Sequence, residues 1–248
     1  MKLNEKYTFM LPIADSKNPM THRCIKHLSQ LSNIKIIVID DFGKDEDYYP
    51  NEKVSYIHNT FSERQSLSKI WNQCIKECPT EYVIITSWRQ RPTVKDIILM
   101  DKKLKEGFEL VAIADLHTFV FSKHLTSKIG FFDEGFESGQ YEDTDYLNRL
   151  YMNDIAIYFS NHCAEESARS TWLEGGKLNK QYYISKWIES SPVLIQIKQE
   201  LNIEDRKIYE GTFEDREYLS FNKSELIASG VKNYYSKYNN KLKLKSFD

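Results

Sequence analysis

Ile129-Gly-Phe-Phe-Asp-Glu-Gly-Phe-Glu-Ser-Gly-Gln-Tyr-Glu-Asp-Thr-Asp-Tyr-Leu-Asn-Arg149 is the stretch around which the rest of the chain arranges itself. Acids crowd both halves: Asp133 and Glu134 in the first, Glu142 and Asp143 in the second, with Asp145 just behind. After Asp143 the apolar residues Tyr146, Leu147, Leu150 and Tyr151 recur at helical spacing. A glycine-containing loop therefore becomes a helix at Glu142–Asp143, with Asp143 as its N-cap. The first turn of a helix tolerates carboxylates, because unpaired amides and the helix dipole stabilise an anion. Capping acids explain the pair structurally, and a carboxylate presented for acid–base chemistry explains it functionally.

The chain upstream bears on that choice. Tyr7–Ile13 reads as a buried strand ended by Pro12 and a polar run, and Met20–Leu31 as a helix carrying Cys24, Ile25, Leu28 and Leu31 on one face. Ile34–Ile39 is a continuous β-branched run, the mark of a strand covered on both faces, and it stops at Asp40-Asp41. Val54–His58 is a further strand, Ser62–Glu77 a helix, Tyr82–Thr86 a strand, and Pro92 opens a helix to about Lys105. Strands follow at Leu110–Ile113, Thr118–Phe121 and Ile155–Phe159. This alternation predicts an α/β, mainly parallel sheet flanked by helices. Ligands of such sheets collect at the carboxyl ends of the strands, where Asp40–Asp41 and Ser87–Arg91 both fall.

The quoted stretch resembles the G-x-F-D-E-x-F … E-D-x-D segment of family 2-like glycosyltransferases with the GT-A fold. Gly130, Phe132, Asp133, Glu134 and Phe136 match its first half, and Glu142, Asp143, Asp145 and Arg149 its second. The resemblance implies a Rossmann-like GT-A core over residues 1–165 and a mainly helical C-terminal extension over 166–248. It makes Asp143 the base of an inverting transfer, with Glu142 beside it, and places Asp133, Glu134 and Tyr141 on the acceptor. Ile-Val-Ile-Asp40-Asp41-Phe-Gly43 is similar to the family's D-D-x-S, whose acids meet a nucleotide; Gly43 stands where serine is usual. Leu-Pro12-Ile is similar to I-P-x-x-N, with Asp15 in place of asparagine, and Asn72 matches an asparagine near the donor. Pro12, Asp40, Asp41 and Asn72 thus form the implied nucleotide side. A carboxylate there accepts hydrogen bonds from a base N–H or from ribose hydroxyls.

One departure carries chemical meaning. Family members end the fourth strand in Asp-x-Asp, which holds Mn²⁺ or Mg²⁺ on the donor diphosphate. This chain has Ser87-Trp88-Arg89 there, followed by Gln90-Arg91. Hard divalent cations want oxygen ligands, so a hydroxyl and a guanidinium disfavour the usual metal. A guanidinium instead meets phosphate oxygens through paired hydrogen bonds and balances the charge of a departing diphosphate. Arg89 and Arg91 take that part, joined by His162 in an element similar to the family's H-x-x-x-S. Two other arrangements fit the same residues: a solvated loop in a chain that has lost catalysis, and a metal held elsewhere by Asp115 and His162. The expected partners are a nucleotide-sugar donor, UDP-sugar foremost, and a glycan or other hydroxyl acceptor.

Composition narrows the field. The 34 basic and 36 acidic residues among 248 nearly cancel, so no global field calls for nucleic acid or an anionic membrane. Transfer to a modified DNA base stays a rival reading, as does a non-catalytic sugar-nucleotide-binding homologue. A nucleotidyltransferase lacks its expected metal carboxylates and phosphate-binding glycine loop. Cys24, Cys74, Cys78 and Cys163 show neither metal spacing nor a disulfide framework, which fits a reducing, cytoplasmic setting. No apolar run approaches the ~20 residues that span a bilayer, so membrane contact is at most peripheral. Further on, Tyr182-Tyr183-Ile-Ser-Lys186-Trp187 resembles a Y-Y-x-x-K-W segment of polysaccharide enzymes. It reads either as a helix face docked on the core or as a contact to substrate. Glu174-Gly-Gly-Lys177 reads as a hinge, and the lysine- and tyrosine-rich end as a solvated face or a surface for polyanions.

Overall fold

The computed structural model describes residues 3–13, 18–41, 51–60, 65–113, 116–136, 139–153, 155–160 and 164–165, together with Asn179 and Tyr183. Most of the expected extension over 166–248, with its hinge, Lys186 and basic tail, lies outside the described residues, as do Asp15, Asp115 and His162.

Strands β1 (Tyr7–Ile13), β2 (Lys35–Asp40), β3 (Val54–His58) and β4 (Tyr82–Thr86) are the apolar runs of the sequence. With β6 (Leu110–Ala112), β7 (Thr118–Ser122) and β8 (Ile157–Phe159) they form a seven-stranded sheet in the order β3-β2-β1-β4-β7-β6-β8. All pairings are parallel except the two made by β7. The helices are α1 (Leu3–Lys6), α2 (Pro19–Leu31), α3 (Leu67–Glu77), α4 (Val94–Lys105), α5 (Leu125–Ile129) and α6 (Glu142–Met152). Alternate strand residues feed two cores, because successive side chains point to opposite faces. Met10, Ile37, Ile39, Val83 and Ile85 pack with Trp71 of α3 and Tyr146 and Leu150 of α6. Phe9, Leu11, Ile36, Val38 and Ile84 pack with Cys24, Ile25 and Leu28 of α2 and Ile97 and Met100 of α4. Covering both faces explains why β1 and β2 have no polar alternation.

Caps fix where the helices start. Asn18 accepts from Met20 N ahead of Pro19, and Ser66 accepts from Lys69 N. Thr93 and Asp96 make a reciprocal capping box, so α4 begins at Val94 rather than at Pro92. At the amino end of the sheet, the Tyr7 hydroxyl (2.6 Å) and Lys6 Nζ (2.9 Å) both donate to Asp101 of α4, which also pairs with Lys105. No helix among the described residues is long and apolar enough to cross a membrane.

The carboxyl ends of β1, β2, β3, β4, β6 and β8 share one edge, and Thr118 at the start of β7 lies opposite Thr86. The order β3-β2-β1-β4 places a topological switch between β1 and β4. There the β1–β4 ladder stops at Met10–Ile85, whereas β1–β2 pairing continues to Ile13–Asp40. Pro12 lies in the part of β1 paired on one side only, which suits a residue with no N–H to give.

Candidate functional site

On one side of the β1–β4 gap stand Asp40 and Asp41. Asp40 ends β2 and is fully buried; its Oδ2 lies 3.5 Å from Nδ1 of His58, the residue that ends β3. Asp41 N donates to Ile13 O at 3.0 Å, and its Oδ2 accepts from Gln65 N at 2.9 Å, next to the cap of α3. The two aspartates therefore bind the ends of β1, β2 and β3 to the start of α3. His58 had no assigned part, yet its position at the end of a strand beside β2 is readable from the aligned strand ends. Pro12 is buried in β1 opposite Ile39, one residue short of the edge.

Across the gap, β4 runs into a turn closed by Gln90 N donating to Ser87 O at 2.9 Å. Ser87 N donates to His117 O at 2.7 Å, and the Thr86 and Thr118 hydroxyls bond at 2.8 Å. Arg89 sits in this turn and Arg91 in the two-residue strand that follows it. Arg91 Nη1 donates to Trp88 O (2.9 Å) and Gln90 O (2.8 Å), and Nη2 reaches Met20 O (3.2 Å) in the first turn of α2. Its guanidinium thus ties the turn to α2. Arg89 is half-buried, with its guanidinium 5.9 Å from the Trp88 ring centroid. Gln90–Arg91, here β5, pairs antiparallel with β9 (Ala164–Glu165), a two-residue match too short to show in sequence. It brings the chain just beyond His162 against this turn.

The acidic stretch lies on α6 and the loop before it. Phe132 stacks on Tyr146 (3.9 Å, 16°) and meets Trp71 edge-on at 4.8 Å, so the aromatic positions of the motif are core. Burial pushes the Tyr146 hydroxyl well above its ordinary pKa, against the pull of the Arg149 charge. Asn72 accepts from Phe132 N (2.8 Å) and donates to Phe132 O (2.9 Å) and Glu134 Oε1 (2.8 Å). Its amide thus ties α3 to this loop. Asp133 Oδ1 accepts from Gly135 N at 2.9 Å, closing a turn. Asp133 therefore bonds within the motif, whereas Glu134 bonds Asn72 of α3. Arg149 bonds Asp145 (2.9 Å) and the carbonyls of Ile129 (2.8 Å) and Phe131 (2.6 Å), fixing α6 to the end of α5.

Helix α6 begins at Glu142, so Asp143 sits inside the first turn instead of capping it. Asp145 N donates to Tyr141 O at 2.8 Å, the first helical bond. Glu142 is buried and Asp143 half-exposed, with Asp143 Oδ1 accepting from Thr144 N at 2.7 Å. The loop before α6 passes near the start of α3: a Cβ added at Gly139 would lie 3.9 Å from Leu67 Cδ2. Gln65, two residues before Leu67, is the residue bonded to Asp41. Asp41 and the segment leading into Glu142 and Asp143 thus both approach the start of α3.

A divalent metal does not fit the end of β4: Ser87 offers one hydroxyl, which contacts Arg89 N at 3.4 Å, and Arg89 brings a positive charge. No group of three or more His, Cys, Asp or Glu side chains among the described residues is arranged to hold an ion.

No family model matches the chain, and no curated protein matches it by sequence. Solved structures do match by shape. S. aureus TarS 1-349 in complex with UDP-GlcNAc superposes with a TM-score of 0.57 at 11% identity, covering 95% of this chain and 89% of that one. TarS 1-349 alone gives 0.56 at 11% identity over 94% of this chain and 83% of that chain. GalNAc-T7 with UDP, GalNAc and Mn²⁺ gives 0.64 at 10% identity over 96% of this chain, which spans 59% of GalNAc-T7. The fold is GT-A. In this GT-A sheet the Asp40–Asp41 corner and the Ser87–Arg91 turn flank the switch point, and α6 supplies the Glu142–Asp143 corner.

Proposed function

We propose that the chain is a glycosyltransferase that moves a sugar from a nucleoside-diphosphate sugar, UDP-sugar foremost, to an acceptor hydroxyl. The observation that supports it best is the shared approach of Asp41, through Gln65, and of the loop at Gly139 to the start of α3. It links two acidic corners at the carboxyl edge of a fold shared with TarS, which binds UDP-GlcNAc, and GalNAc-T7, which binds UDP.

In this reading the nucleoside lies against Asp40 and Asp41, and Arg89 meets the diphosphate. Arg91 holds the turn that presents Arg89, and Asn72 holds the loop that presents the acceptor side at Tyr141. Asp143 accepts the proton of the acceptor hydroxyl as its oxygen bonds to the anomeric carbon. The bond from that carbon to the diphosphate breaks on the opposite face, so configuration inverts. An alcohol is far less acidic than a carboxylic acid, so the proton moves late, once the hydroxyl has begun to bond. Arg89 stabilises the charge that develops on the departing diphosphate, in place of a divalent ion.

The test is a thermal-shift panel of UDP, GDP and dTDP, with release of free nucleotide from their sugars measured for the unmodified chain and Asp143→Asn. The reading expects one nucleotide to stabilise both proteins, and only the unmodified chain to turn over. Stabilisation by none of them, or undiminished turnover by Asp143→Asn, contradicts it.

A further inference from the structure

Gln140 and Tyr141 have φ of 92° and 68°, two consecutive non-glycine residues in the left-handed region. They are the only such residues described, and they immediately precede Glu142. Side chains disfavour this backbone, so it persists only where the surroundings over-determine it. The surroundings come from the C-terminal part of the chain. Asn179, 1% exposed, donates from Nδ2 to Gly139 O (3.3 Å) and Gln140 O (3.2 Å). Tyr183 sets its ring 5.4 Å from that of Tyr141, tilted by 33°, and its hydroxyl accepts from Asn148 of α6 at 2.6 Å. Asn179 and Tyr183 are both helical and stand four positions apart in sequence, and both meet the loop.

We propose that Asn179 and Tyr183 are positioning residues: they hold the strained Gly139–Tyr141 loop and thereby set the direction of Glu142 and Asp143. Two ties converge on the loop from outside the sheet core. Asn179 grips the carbonyls on the near side of the strained pair. Tyr183 grips Tyr141 and α6 on the far side, so loop and helix turn as one body. The catalytic consequence rests on the function proposed above, whereas the brace itself does not. Asn179 and Tyr183 then take part in the acceptor side of the site by holding its loop, without touching the reacting atoms.

Hydrogen exchange and turnover of the full chain test this together. In Asn179→Ala, the amides of residues 141–145 should exchange about tenfold faster, the loss of two bonds to the loop, while those of β4 stay unchanged. With UDP-GlcNAc as donor, kcat for nucleotide release should fall about tenfold and KM for the donor stay within about twofold. Tyr183→Phe keeps the ring contact and loses the Asn148 bond, so it should give the same pattern at about a third of the size; it also serves if Asn179→Ala fails to fold. Unchanged exchange at 141–145, or faster exchange with kcat untouched, overturns the proposal. If the unmodified chain binds none of UDP, GDP and dTDP and consumes none of their sugars, the glycosyltransferase reading fails, and the exchange measurement alone decides the brace.

Discussion

Asn72 bonds both ends of one residue, accepting from Phe132 N at 2.8 Å and donating to Phe132 O at 2.9 Å, 60 positions away in the chain. The side chain is 2% exposed, so both backbone groups would be buried without partners if it were removed. Asn72→Ala is expected to cost about 2–3 kcal/mol, measured by urea denaturation, because unmet buried polar groups lose their full hydration. Asn72→Asp keeps the acceptor but sets a buried charge against Phe132 O and the Glu134 carboxylate, so it should cost at least as much.

Arg149 neutralises Asp145, which is fully buried, and also satisfies the carbonyls of Ile129 and Phe131. Arg149→Ala strands that carboxylate and should cost about 3 kcal/mol, at the low end for a buried pair because Arg149 itself is partly exposed. Arg149→Lys should recover little, since one ammonium cannot replace a planar fork that reaches three oxygens. Denaturation midpoints of the two variants check this directly.

Much of the fold was readable for a physical reason. Tyr7–Ile13 and Tyr82–Thr86 are strands within the residues their apolar runs mark, because a covered sheet leaves no polar alternation to blur the ends, whereas Val54–His58 is a half-buried edge strand. β5 and β9 were not readable, since two residues carry no period, and neither was the short α5. At the site, sequence placed Asp40–Asp41 and Glu142–Asp143 at element ends, as found. It did not show that Arg91 and Asn72 are engaged internally, because their partners Met20 and Phe132 lie 71 and 60 positions away. The left-handed Gln140–Tyr141 step was equally hidden, because neither residue is a glycine and the brace comes from Asn179.

Asp101 gives the fold a pH dependence far from the candidate site. Burial opposes its ionisation, but hydrogen bonds from Lys105, Tyr7 and Lys6 prevail and hold the carboxyl well below the ordinary range. A depressed pKa in the folded state stabilises fully above the unfolded value of about 4, and that contribution fades as pH falls toward the folded pKa. Asp101→Asn should therefore be less stable than the unmodified chain by about 1–2 kcal/mol at neutral pH. The gap should narrow below about pH 4 in parallel urea titrations. A gap that is constant or widens in acid contradicts this.

The central claim is that a guanidinium at the end of β4 does for the donor diphosphate what a divalent ion does elsewhere. Its most direct test is calorimetric titration of UDP into the unmodified chain and into Arg89→Ala, each in excess EDTA. The account predicts binding by the unmodified chain that EDTA leaves unchanged, and a loss of about tenfold or more in Arg89→Ala, as expected when a charged hydrogen bond to phosphate is removed. Binding that requires added Mn²⁺ or Mg²⁺, or that Arg89→Ala leaves intact, would contradict it.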